Sequence, residues 1–114
     1  MTDTQIAAQD VKAYIENHLY DSLTLSQIAA EFHYSKSSLE RIFRTEYGVT
    51  IMKYHKMCRF REAQKMLKMG TSVTDTASIL LFRQLESFVR FFKTIGGISP
   101  SEYVKEIKHR NNCI

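Results

Sequence analysis

Leu39-Glu40-Arg41-Ile42-Phe43, followed by Gly48-Val49-Thr50 and then Tyr54, is the stretch that decides the fold, because the chain writes it twice. Forty-nine positions on, it returns as Phe88-Val89-Arg90-Phe91-Phe92, Gly97-Ile98-Ser99 and Tyr103. Ahead of each copy stands an alanine-bearing amphipathic stretch, Ile28-Ala29 and Thr76-Ala77, at an offset of 48. One extra residue therefore falls in the turn of the second copy. Self-similarity at a fixed spacing marks one supersecondary unit used twice.

The unit is helical. Thr24-x-x-Gln27 is a capping box in front of Leu25, Ile28, Ala29 and Phe32, which predicts a short helix. Past His33-Tyr34, Ser35 caps a second helix that runs to Tyr47, where Gly48 supplies a left-handed stop. Leu39, Ile42, Phe43 and Tyr47 make its inward stripe. A short helix, a tight turn and a second helix with an aromatic inner face describe a helix-turn-helix.

Outward from the repeat, every segment reads as helix. Asp3 or Thr4 caps a first helix reaching Asn17–Leu19, and Thr50 caps a longer one ending at Met69-Gly70. Thr71 or Ser72 opens a fifth, and a sixth spans Gln84 to Ile95, closed by Gly96-Gly97. Ser99-Pro100-Ser101-Glu102 starts a seventh with an N-cap, a proline at the first helical position and a capping-box glutamate. No stretch alternates like a strand. The expected fold is all-α with about seven helices: two helix-turn-helix subdomains, 1–49 and 71–114, joined by a long linker helix at 50–70.

With 114 residues the chain holds one domain or two small subdomains, and 44% hydrophobic residues exclude disorder. No apolar run approaches a membrane span of about 20 residues, and nothing resembles a signal peptide. Cys58 and Cys113 have no motif spacing, which suits a reducing cytoplasm and points to a cytoplasmic protein. The net charge of +4 is unevenly spread: residues 1–31 carry −4, residues 32–69 carry +6 and the remainder +2. On charge alone, a face for a polyanion and a merely solvated helix face both remain open.

The second helix of a helix-turn-helix presents its outward face to the DNA major groove. In the first copy that face is Ser37, Glu40, Arg41 and Arg44; in the second it is Glu86, Val89, Arg90 and Lys93. Each set steps along one side of its helix. Arg41 and Arg90 thus hold the same place in two recognition-type helices. A guanidinium bonding guanine O6 and N7 contributes roughly 1–3 kcal/mol of base discrimination. For one exposed arginine, a nearby acid is the simpler partner; two at equivalent positions favour DNA.

These residues resemble the AraC/XylS family of bacterial transcription regulators, and more narrowly its small stand-alone members. The resemblance runs from about Val11 to Val104. It is carried by Phe82, Phe88, Arg90, Phe92-Lys93 and Gly97-Ile98-Ser99-Pro100-Ser101-Glu102-Tyr103, and by Tyr54, Arg59, Glu62-Ala63 and Met66-Leu67 in the middle helix. It implies that the third and sixth helices enter successive major-groove segments. Base reading then falls to Ser37, Glu40 and Arg41, and to Leu85, Glu86, Ser87, Val89 and Arg90. Lys36, Ser38, Arg44, Ser87 and Lys93 stand near the DNA backbone, and the helix starts at Thr50-Ile51 and Ser99–Ser101 offer amides to phosphate.

The chain departs from the family pattern at several points. The turn glycines expected before Tyr34 and Phe82 are His33 and Leu81. A positive φ there imposes strain of order 1 kcal/mol or more on each. Thr76 replaces a usual aliphatic. Glu40 and Glu86 put negative charge on each reading face, where a glutamate accepts from cytosine N4 or weakens contact with phosphate. The first helix-turn-helix is therefore the stronger reader.

Phe82, Phe88, Phe91 and Phe92 have the spacing of core, not of a cofactor box. His18, His33, His55 and His109 lack ligand spacing, so no metal is expected. Cys58 falls where a small buried hydrophobe belongs. No cofactor is implied, and no phosphate loop or catalytic set suggests an enzyme. The expected function is a sequence-specific activator on double-stranded DNA, monomeric, with affinity that falls steeply with salt. Contact with RNA polymerase is implied by the family alone. The Met1 start and the polar tail 108–112 favour a complete chain. The rival is a degenerate family member that acts as a protein-binding module on RNA polymerase or another regulator.

Overall fold

A computed structural model describes residues 1–112, so Cys113 lies outside the described residues. Among them the chain forms seven helices and no strand: α1 (Asp3–Glu16), α2 (Leu25–Glu31), α3 (Lys36–Tyr47), α4 (Ile51–Lys68), α5 (Val73–Ile79), α6 (Leu85–Gly96) and α7 (Pro100–Asn112). No helix is long and apolar enough to cross a membrane.

Most starts are where the capping residues put them. Thr24 and Gln27 exchange bonds of 2.9 and 3.2 Å at the head of α2, and Ser35 accepts from the Ser38 N–H at the head of α3. Thr50, Ser72 and Ser99 accept in the same way from Lys53, Asp75 and Glu102. α1 differs from expectation: its cap is Thr2, which forms a capping box with Gln5, so Asp3 and Thr4 already lie inside the helix. The reciprocal pair satisfies two orphan donors, where either alternative offers one. α3 and α6 stop at Gly48 and Gly97, both in the left-handed region with φ 76° and 87°.

The chain divides into two units, Met1–Cys58 and Arg59 onward, and the boundary falls within α4. In the first unit Val11, Ile15, Ile28, Ala29, Leu39, Phe43 and Ile51 form the core, with Tyr47 and Tyr54 packed 4.9 and 5.7 Å from the Phe43 ring. In the second, Ala63, Leu67, Ala77, Leu80, Phe88 and Phe92 do the same work, flanked by Phe60 and Tyr103. Phe43, Phe88 and Phe92 are fully buried, and truncating such a ring to alanine costs about 3–5 kcal/mol. Phe82 and Phe91 are only half-buried, at the edge of this cluster. Cys58 is buried, and its thiol interacts with the Tyr54 hydroxyl. Thr76, also fully buried, donates its hydroxyl to the Ser72 carbonyl at 2.8 Å, which explains how a polar side chain is tolerated there. Gly96 is needed for space: a Cβ there would stand 2.5 Å from the Phe60 ring.

Candidate nucleic-acid interface

The two turns that lead into α3 and α6 are built alike. α2 ends with the Tyr34 N–H donating to the Ala29 carbonyl and the His33 N–H to Ala30, at 3.0 and 3.2 Å. α5 ends with Phe82 donating to Ala77 and Leu81 to Ser78, at 2.9 and 3.0 Å. This pair of bonds is a Schellman motif, and it demands a left-handed residue. His33 and Leu81 supply it at φ 59° and 68°, although neither is glycine. The strain expected at these positions is therefore present in both copies.

Each turn delivers a helix whose outer side is open. On α3, Lys36, Ser37, Arg41 and Arg44 are exposed, and Ser37, Arg41 and Arg44 line one shallow groove with Thr45 and Glu40. Thr45 donates its hydroxyl to the Arg41 carbonyl at 2.8 Å. Ser38 is half-buried and accepts from the Ser35 hydroxyl at 2.9 Å. On α6, Leu85, Glu86, Ser87, Arg90 and Lys93 are exposed, while Val89 is half-buried. Gln84 caps α6 without a side-chain bond. Ser101 is exposed in the first turn of α7.

Two expected contacts are placed otherwise. Glu40 is half-buried, and its Oε1 accepts from the Ile51 N–H at 2.7 Å. The carboxylate is thus drawn to the start of α4, where the positive end of the helix dipole favours it. The Ile51 amide, expected to face a phosphate, is the donor in that bond, and the Ile51 side chain is fully buried. The Thr50 hydroxyl is likewise engaged, by the Lys53 N–H at 3.1 Å. Both departures come from one bond across the Gly48 turn.

Sequence reading missed the part played by Arg59. Its guanidinium donates to the Leu80 carbonyl at the end of α5 and lies 5.3 Å from the Phe82 ring centroid. Burial pulls its pKa below the usual arginine range. It holds the turn that presents α6. In the first unit, Tyr54 donates to Glu16 at 2.7 Å, and burial together with that bond pushes its phenol well above the usual range. Among the described residues no three His, Cys, Asp or Glu side chains cluster to hold a metal.

Comparison with known proteins places this arrangement. The family model described as "Helix-turn-helix domain" matches residues 28–106, both turns included. The "HTH-type transcriptional activator AarP" of Providencia stuartii is 36% identical over 95 residues, covering 82% of this chain and 70% of that protein. The chain belongs to the AraC family.

Its relatives are helix-turn-helix transcriptional regulators, and the chain is a DNA-binding regulator domain of that kind. It is 34% identical over 92 residues to YtdP of Bacillus subtilis, an HTH-type transcriptional regulator; the match takes in 79% of this chain and 12% of that protein's length. A probable AraC family regulator from Rhodopseudomonas palustris superposes with a TM-score of 0.75 at 26% identity, over 90% of this chain and 97% of that one. The DNA-binding domain of AdpA, solved in complex with a target DNA, shares the fold with a TM-score of 0.83 at 24% identity, over 94% and 97% of the two chains.

Proposed function

We propose that this AraC-family chain activates transcription by reading two adjacent major-groove segments of double-stranded DNA, one with α3 and one with α6. The observation that carries the reading is the pair Arg41 and Arg90: both exposed, both on the outer side of the helix after a Schellman turn, and 49 residues apart in a duplicated unit. Ser37 and Arg41 read bases from the first unit; Leu85, Glu86, Val89 and Arg90 read from the second. Lys36, Arg44, Ser87, Lys93 and Ser101 contact the sugar-phosphate backbone, with Ser38 beside them. Because both readers belong to one chain, an asymmetric site is bound by a monomer. The activator role is the one named for the Providencia relative, and contact with RNA polymerase is proposed from the family resemblance alone.

The arginines test the proposal. Arg41→Ala and Arg90→Ala should each relax base preference in one block of the site by about 1–3 kcal/mol and leave the other block unchanged. Equal losses on every duplex would put both side chains on phosphates instead. One observation favours a protein partner in place of the second DNA block: Leu81 and Leu85 are 50% and 45% exposed beside Glu86. Under that reading Arg90→Ala leaves base preference untouched.

A further inference from the structure

Each copy of the repeat ends at a helix start, and the first N–H of a helix has no partner within it. In the first copy that donor belongs to Ile51, which is fully buried, and Glu40 accepts from it at 2.7 Å. Forty-nine positions on, Ile51 is replaced by Pro100, also fully buried, and Glu40 by Val89. Proline has no N–H, so the second copy has no donor at that point to satisfy. The acceptor is present where the donor exists and missing where the donor has been deleted. The two differences between the copies compensate each other.

We infer that Glu40 is a positioning residue and not a base reader: it ties the middle of α3 to the first residue of α4, the task that the Val89 and Pro100 pair makes unnecessary in the second copy. Three features support this. Glu40 is half-buried, while Ser37, Arg41 and Arg44 on the same side of α3 are exposed. Its bond spans 11 residues and joins two helices across the Gly48 turn, so it holds α3 against the start of α4. With Oε1 committed to the α4 amide, the carboxylate is held toward α4 and only Oε2 is left to accept from another partner. An unmet buried donor is expensive, which gives the pair a reason to vary together. The DNA consequence rests on α3 being a base-reading helix; the bond itself does not.

The test uses the full chain and exchanges the two solutions. Glu40→Val should lower the unfolding midpoint by roughly 4–8 °C, since a lost bond of this kind moves a small domain by that much. In an Ile51→Pro background the same change should have almost no effect. Glu40→Gln keeps an acceptor and should retain most of the midpoint. Amide exchange gives a reading that survives if Ile51→Pro alone does not fold: the Ile51 N–H should be protected in the parent and in Glu40→Gln, and exposed in Glu40→Val. Duplexes selected by Glu40→Gln should carry the same first block as those selected by the parent. An Ile51 amide equally protected in Glu40→Val overturns the inference, as do equal midpoint losses in both backgrounds. A changed base in the first block with Glu40→Gln overturns it in favour of direct reading. A folded parent that selects no duplex counts against the DNA proposal, while the amide and midpoint results still decide the bond.

Discussion

His33 and Leu81 hold backbone conformations that cost an ordinary residue of order 1–3 kcal/mol, and they do so at the two turns on which the site depends. Leu81 gives little back, because its side chain is half-exposed. Leu81→Gly should therefore raise stability by about 1 kcal/mol after the extra entropy of glycine in the unfolded chain is charged against it. His33→Gly should gain less, since histidine visits this region more readily than leucine. Urea unfolding of the two variants beside the parent measures both, and a loss at either position would contradict the strain. Tyr54 makes a pH prediction. Its folded pKa is raised, so its contribution is fully present below the unfolded value near pH 10 and is lost as pH climbs through the alkaline range. Tyr54→Phe should cost about 1 kcal/mol at neutral pH and flatten the decline of stability above pH 10. The missing glycines were legible in the sequence, because the family pattern expects glycine there; the positive φ itself is seen in the structure. The bond from Glu40 to the α4 amide was not legible. Periodicity places a residue on a helix face, but it does not reveal an acceptor needed 11 residues away on another helix.

The helices themselves were legible nearly to the residue, since capping residues mark their starts by a local mechanism. Thr24, Ser35, Thr50, Ser72 and Ser99 each accept the backbone bond expected of a cap. The start of α1 was misplaced for a reason in the same chemistry: Thr2-x-x-Gln5 offers a reciprocal box that Asp3 and Thr4 do not match. Helix ends depend on distant partners and were harder to read. α5 is capped by Leu80, whose carbonyl is met by Arg59 from α4, and nothing in the spacing of those residues announces it. Arg59→Met should retain the apolar stem and lose the charged bond, costing the second unit about 1.5–3 kcal/mol. The loss should be concentrated in the second block of a bound site, because it loosens the turn that presents α6. Amide exchange in α5 and α6, compared with α2 and α3, checks this; uniform loosening of both units would contradict it.

At the scale of the whole molecule, the duplication is what joins sequence to function. Two cores of similar composition, each holding two fully buried phenylalanine or isoleucine side chains or more, present two outer helix faces with an arginine at the same position. The faces differ in character. α3 offers Lys36, Arg41 and Arg44, with Glu40 drawn to α4, whereas α6 mixes Leu85 and Glu86 with Arg90 and Lys93. The first block should accordingly depend more on charge and the second more on shape and apolar contact. The fold and the two matching arginines, the readers proposed above, were legible because a repeat shows both. Which bases they read was not, since that is set by the groove each face meets. Selection of bound duplexes from a random pool, at near-physiological salt, tests the central claim most directly. Two short preferred blocks are expected, with centres about one helical turn apart, near 10 base pairs. No enrichment by demonstrably folded protein would contradict it.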